Sequence, residues 1–173
     1  MLTLNCNAVT PKAPELTDGI IQVMTTVKTI EVESDIAMKM LGEKLGALLT
    51  GGEVIELVGD VGAGKTTFVK GLARGLAIDE EVQSPSFTIS RVYDARDNLQ
   101  LAHYDFYRLN DAGIMANELA ETAQDLKSIT VIEWADIVEG VLPEHRVRIV
   151  ITAPTETTRN LTLDGPTELL EKL

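Results

Sequence analysis

The run Gly59-Asp60-Val61-Gly62-Ala63-Gly64-Lys65-Thr66 constrains this chain more than any other part of it. It matches G-x-x-x-x-G-K-[ST], a phosphate-binding loop. Such a loop works between a strand and a helix. Val54-Ile55-Glu56-Leu57-Val58 before it reads as a buried strand, and Thr67 to Leu76 after it reads as a helix. The reason for the pattern is charge. A polyphosphate packs several negative charges together, and the loop answers with converging backbone N–H groups at a helix N-terminus. Gly59, Gly62 and Gly64 let the backbone curl and approach without a Cβ in the way. Asp60, Val61 and Ala63 complete the cradle. Lys65 is expected to reach the β- and γ-phosphates as a point charge, and the Thr66 hydroxyl to be one ligand of Mg²⁺. Thr67 is placed for the α-phosphate side. The plain alternative is a glycine-rich turn with an incidental lysine, and the flanking strand and helix argue against it.

The chain has 173 residues, 45% of them hydrophobic, which suits one domain with a real core. No apolar run reaches the ~18 residues of a membrane span. The N-terminus lacks the basic start and apolar stretch of a secretory signal. The single cysteine, Cys6, excludes a disulfide framework and suits a reducing compartment, so a cytoplasmic location is expected. The net charge is −12. RNA is bound mainly through Lys and Arg contacts to phosphate, so this chain as a whole repels it unless a basic partner supplies the affinity. A nucleotide can still be held by local N–H groups, Lys65 and Mg²⁺. The charge therefore favours a nucleotide enzyme or an adaptor over a stand-alone nucleic-acid reader.

Along the chain the pattern is α/β: a single-domain, P-loop NTPase-like three-layer fold with a mixed, mainly parallel central sheet. Residues 1–24 read as a poorly ordered or accessory lead-in with room for a short strand, and residues 25–173 as the nucleotide-binding domain. Thr25 to Glu33 reads as a strand, Ser34 as an N-cap, and Ile36, Met40, Leu41, Leu45, Leu48 and Leu49 as one apolar helical face ended by Gly51-Gly52. Phe87 to Tyr93 and Leu99 to Asp105 read as a hairpin across a turn at Asp94 to Asn98. A helix is expected over Ala112 to Ala123. Ile129 to Glu133 reads as a central parallel strand. Two late strands, at Val147 to Thr152 and Leu161 to Leu163, precede a short helix at Thr167 to Leu173.

Nucleotide hydrolysis needs an acid near Mg²⁺ and a group that positions the attacking water. Such acids lie at the C-terminal ends of central strands beside the loop. Glu133 ends its apolar run like a Walker B acid with Glu in place of Asp, and is expected on the metal, directly or through water. Asp105 ends Leu101 to Asp105 and is expected to position water or to sense the nucleotide. The plain readings are the start of a solvated loop for Glu133, and a helix N-cap or surface ion pair for Asp105. His103 reads as a structural hydrogen-bonder and Trp134 as packing. Ser84-Pro85-Ser86-Phe87-Thr88 lies where many P-loop NTPases place a first switch, and its hydroxyls suit a γ-phosphate. The plain reading there is a proline turn.

Four segments in order now resemble the TsaE (YjeE) family, bacterial P-loop ATPases needed for N6-threonylcarbamoyladenosine modification of tRNA. They are the loop with Thr67-Phe68, Ser84 to Thr88, His103-Tyr104-Asp105-Phe106-Tyr107-Arg108-Leu109, and Ile132-Glu133-Trp134. The resemblance covers roughly residues 30–165. It implies that Lys65 and Thr66 hold ATP phosphate and Mg²⁺, that Glu133 is a metal-site residue, and that Asp105 matters for hydrolysis to ADP. It also implies that Arg159 lies by the nucleotide and that Asp35, at the start of the first helix, lies near the base. The family works with TsaB and TsaD; TsaD transfers the threonylcarbamoyl group, and the ATPase is thought to reset that complex. The partners, not this chain, would then hold most of the tRNA. Ser86 departs from the family's usual Thr but keeps the hydroxyl.

Two other classes share the loop. A small-molecule kinase usually adds an arginine-rich lid and an acceptor pocket, whereas the seven arginines here are scattered at 74, 91, 96, 108, 146, 148 and 159. A GTP-binding switch usually carries [NT]-K-x-D, and no lysine here follows Asn or Thr. Without an obvious arginine finger in cis, turnover is expected to be slow and dependent on partners.

Overall fold

Val54, Ile55, Glu56 and Leu57 are all buried, so the strand that carries them must be covered on both faces. In the computed structural model, which describes residues 6–11 and 24–173, that strand is the middle of a sheet. The elements in chain order are β1 (Cys6–Pro11), β2 (Thr25–Val32), α1 (Asp35–Leu48), β3 (Val54–Val58), α2 (Lys65–Gly75), β4 (Ser90–Asp94), β5 (Gln100–Asp105), α3 (Ile114–Thr122), β6 (Ser128–Glu133), β7 (Val147–Thr152), β8 (Arg159–Pro166) and α4 (Thr167–Leu170). The sheet order is β1-β2-β8-β7-β3-β6-β5-β4. Strands β7, β3, β6 and β5 run parallel, and antiparallel strands flank them on both sides. One core joins the sheet to α1, α2 and α4; a second, on the opposite face, joins it to α3 and the 3-10 segment Ala135–Val141. The α/β fold with three layers and a parallel middle is therefore the one that forms. Asp105 stands directly opposite Glu133, at the C-terminal ends of neighbouring parallel strands.

Helices α1 and α2 meet through glycines. A Cβ on Gly42 would lie 2.3 Å from the Phe68 carbonyl oxygen, and one on Gly46 2.2 Å from that of Leu72. From the other side, a Cβ on Gly71 would lie 2.1 Å from the Lys39 oxygen, and one on Gly75 2.2 Å from the Glu43 oxygen. The backbones touch where side chains would normally stand, and this seam sets the rotation of α1. Met38, Leu41 and Leu45 turn inward with Gly42 and Gly46, whereas Ile36 and Met40 are 69% and 51% exposed. The expected apolar face is corrected at those two positions. The glycines, not the large apolar residues, fix the phase of α1.

Ser34 caps α1 as expected, accepting from the Ala37 N–H at 3.1 Å. Helix α2 begins at Lys65, two residues before the expected start, because the left-handed Gly64 is its N-cap. The strand expected from Phe87 starts only at Ser90, since the Pro85 carbonyl accepts the N–H groups of Thr88 (2.9 Å) and Ile89 (2.7 Å) in a turn. Of the lead-in, Cys6–Pro11 pairs antiparallel with β2; residues 1–5 and 12–23 lie outside the described residues. Among the described residues no helix is long and apolar enough to cross a membrane.

Glycine in a helix normally costs about 0.5–1 kcal/mol relative to alanine. The seam reverses that sign. Gly46→Ala and Gly71→Ala should each lose about 1–3 kcal/mol through overpacking. Gly140→Ala, where an added Cβ meets nothing within 4 Å, should stay within about 0.5 kcal/mol. Urea denaturation of the three variants checks this.

Candidate functional site

The loop from Gly59 to Gly64 joins β3 to α2 with three glycines at positive φ: Gly59 (156°), Gly62 (82°) and Gly64 (107°). At Gly64 the requirement is conformational, because an L side chain is strained at that φ. Gly64 offers no side-chain cap, so the first N–H groups of α2 are left to whatever sits in front of them. This is an anion-binding geometry.

Lys65 is buried, and a buried ammonium needs partners. Its Nζ donates to the Gly59 and Asp60 carbonyl oxygens at 2.8 and 3.1 Å. It also lies 3.8 Å from Glu133 Oε2 and 4.6 Å from the centre of the Trp134 ring. Glu133 is buried at the end of β6, and its Oε1 is 3.0 Å from His103 Nε2. Asp105 is buried beside it. One Asp105 oxygen accepts from Ser84 Oγ at 3.1 Å and from Ser86 Oγ, while the other accepts the Tyr107 N–H at 3.0 Å. Neither acid therefore takes its plain reading: Glu133 does not open a solvated loop, and Asp105 neither caps a helix nor sits on the surface. Trp134 packs on Tyr107 with ring centres 4.8 Å apart.

These groups face a cleft of about 440 Å³. Val61, Gly62, Gly64, Lys65, Thr66, Thr67, Asp105 and Glu133 all line it, together with Ser84, Ser86, Tyr107 and Trp134. Asp60 and Ala63 line a second cavity of about 580 Å³ on the other side of the loop, against Val150 to Pro154. Arg159 donates through Nε to the Ala63 oxygen at 2.9 Å, and through Nη1 to the carbonyls of Thr155, Glu156 and Thr158. It thus ties the 155–158 turn to the loop. Asp35 is exposed at the start of α1 and lines neither cavity. Its nearest link to the loop is Met38, one turn on, whose Cε lies 3.3 Å from where a Gly64 Cβ would be.

The cleft also has residues that periodicity did not single out. Phe87 is 83% exposed at its rim, with the Arg108 guanidinium 4.2 Å above its ring. Phe87 belongs to the Ser84–Thr88 segment and not to β4, which starts at Ser90, so its ring is free to stand at the rim.

Among the described residues no three His, Cys, Asp or Glu side chains cluster as a metal cage. A hydroxyl (Thr66) and two carboxylates (Asp105, Glu133) on one cleft are hard oxygen donors of the kind Mg²⁺ takes when phosphate and water fill most of its shell. The residues present fit that ion.

Two bulky residues on either side of the acids are left-handed: Ile89 (φ 67°) and Trp134 (φ 59°). Each sits next to a backbone bond to the end of β5. The Asp105 N–H donates to the Ile89 oxygen at 2.8 Å, and the Phe106 N–H to the Glu133 oxygen at 3.1 Å. Strained backbone at such a place is held by its surroundings.

Comparison with known proteins places residues 32–161 in the family model described as threonylcarbamoyl adenosine biosynthesis protein TsaE. A Treponema pallidum protein named tRNA threonylcarbamoyladenosine biosynthesis protein TsaE is 41% identical over 70% of this chain and 89% of its own length. The Bacillus subtilis protein of the same name is 38% identical over 72% of this chain and 77% of its own. The crystal structure of Bacillus subtilis YdiB superposes with a TM-score of 0.69 at 31% identity, covering 86% of this chain and 95% of that one.

The left-handed backbone at Ile89 gives a sign that side-chain contacts alone would not. Ile89→Gly should be more stable than Ile89→Ala by about 1 kcal/mol, the reverse of the usual order. Thermal denaturation of the two variants measures the difference.

Proposed function

The chain belongs to the TsaE family, and from that membership we propose that it is a Mg²⁺-dependent ATPase that binds and hydrolyses ATP in support of threonylcarbamoyladenosine biosynthesis in tRNA. One observation carries the catalytic half of this reading. The glycine loop, Thr66, Asp105 and Glu133 converge on a single cleft, although Asp105 and Glu133 lie far from the loop in sequence.

Each residue has a task. The loop N–H groups and the start of α2 receive the phosphates. Lys65 leaves the Gly59 and Asp60 carbonyls and takes the β- and γ-phosphate oxygens. Mg²⁺, when bound, neutralises charge on those oxygens and orients them. Thr66 and Glu133 would hold the ion, Glu133 directly or through water. Asp105, whose oxygens already collect three donors, orients the attacking water or releases the Ser84–Ser86 turn to the γ-phosphate. Arg159, bonded to the Ala63 carbonyl and close to Gly64, steadies the loop beside the nucleotide. Asp35 is kept for the base side through the α1 start.

TsaB and TsaD homologues are the proposed protein partners, with tRNA held through them in the cytoplasm. A net charge of −12 fits a chain that leaves the polyanion to others. The exposed Phe87–Arg108 pair at the cleft rim fits a site that a partner completes.

Phosphate release should require Mg²⁺ and rise when TsaB and TsaD are added. Lys65→Ala and Asp105→Asn should each lower the rate about 100-fold or more, on the scale of lost electrostatic or water-positioning groups. If hydrolysis ignores both the partners and Lys65→Ala, this function is wrong. Transfer of labelled γ-phosphate to a metabolite rather than to water would point to a kinase instead.

A further inference from the structure

His103 takes no part in the roles above, yet it is 0% exposed, and its one hydrogen bond among the described residues goes to Glu133. We infer that His103 is a positioning residue: it holds the Glu133 carboxylate so that one oxygen is occupied and the other stays between Lys65 and the cleft. This role rests on the reading of Glu133 as the acid on the metal side.

Glu133 acts in this role as a carboxylate. A carboxylate only accepts, so Nε2 carries the hydrogen and donates to Oε1 across 3.0 Å. The other ring nitrogen, Nδ1, is buried with no partner among the described residues. An unsatisfied buried polar atom costs free energy. A position needed only for volume would be filled more favourably by an apolar side chain. The imidazole is therefore explained by the bond it makes, and that bond serves Glu133 alone.

The strand geometry explains why a histidine does this. His103 and Asp105 are two apart on β5 and share a face; their β6 neighbours in register are Val131 and Glu133. The ring therefore reaches Glu133 from behind, from the core side, while Asp105 stands beside it at the mouth. Glu133 Oε2 is 3.8 Å from Lys65 Nζ, beyond hydrogen-bond distance. With Oε1 bound to His103, the carboxylate is kept from closing onto the ammonium in a tight ion pair. Lys65 then stays available to phosphate and Oε2 to a metal or its water. This is the arrangement in which a partner behind a ligand sets that ligand's orientation.

The test uses His103→Met, which keeps bulk but loses the donor, and His103→Gln, whose amide nitrogen can replace Nε2. ADP affinity is measured by titration with and without Mg²⁺, alongside kcat and KM for ATP and the melting temperature. His103→Met should cut the Mg²⁺-dependent gain in ADP affinity, and kcat, by about 10–100-fold. Metal-free ADP affinity should stay within about twofold. His103→Gln should recover most of the loss. In a Glu133→Gln background, His103→Met should add nothing further. Wild-type behaviour of a folded His103→Met, failure of a folded His103→Gln to recover, or additive losses with Glu133→Gln would each overturn the inference. If His103→Met does not fold, long-range ¹H–¹⁵N spectra of the wild-type protein decide: a hydrogen on Nε2 supports the role, and a ring whose only hydrogen is on Nδ1 overturns it. If Glu133→Gln itself binds Mg²⁺–ADP and hydrolyses ATP like the wild type, the reading of Glu133 fails and takes this role with it. If Glu133→Gln is impaired while His103→Met is not, only the positioning role fails.

Discussion

The approach of α1 to α2 through bare backbone governs much of what surrounds it. Four glycines remove the side chains that usually keep helices 8–10 Å apart. The closeness lets Met38 of α1 reach Gly64, the residue on which the glycine loop turns into α2. It also decides which residues of α1 are core and which are surface. A loop that must aim several N–H groups at one point tolerates little drift in the helix that follows it, and the seam supplies that rigidity without a bulky contact.

Burial of charge is the second constraint, and the two faces of the sheet solve it alike. On the loop face, Glu133 is met by His103 and Lys65, and Asp105 by two serine hydroxyls and a backbone N–H. On the other face, Glu56 of β3 accepts from Arg146 at 2.8 Å and from Arg148 at 3.3 Å, while Arg146 also reaches Glu139 at 2.6 Å. Burial by itself would pull the Arg146 guanidinium down. Its hydrogen bonds to Glu56 and Glu139 outweigh burial and hold it above the ordinary arginine range. This second network fastens the segment after Trp134 to the strand that feeds the loop. The backbone on which Glu133 ends is thus anchored from behind.

The parts of the fold legible in the sequence were those with a local code. The glycine loop has fixed spacing, Ser34 is a capping residue in front of an apolar helix, and the short apolar run Ile129 to Ile132 is typical of a central parallel strand. Glu133 and Asp105 could be picked out because each ends such a strand. What escaped depends on contacts between distant segments. Ile36 and Met40 look like core until the glycines are seen to set the helix phase. Phe87 looks like a strand residue until the Pro85 carbonyl captures two following N–H groups. The bond from His103 to Glu133 follows from the register of β5 on β6, which no spacing along the chain reveals.

The hold of the Gly59 and Asp60 carbonyls on Lys65 has a kinetic corollary. The loop carries its own competitor for the lysine, since two of its carbonyls occupy the ground an anion would claim. Any anion in the cleft gains only the difference between its own attraction and theirs, so saturation is pushed toward higher ligand concentration. The same difference speeds departure. As an anion leaves, the ammonium falls back onto its resting partners instead of facing solvent-free space alone, which lowers the cost of dissociation. An anion bound here would thus leave as the Lys65 side chain swings back to the Gly59 and Asp60 carbonyls.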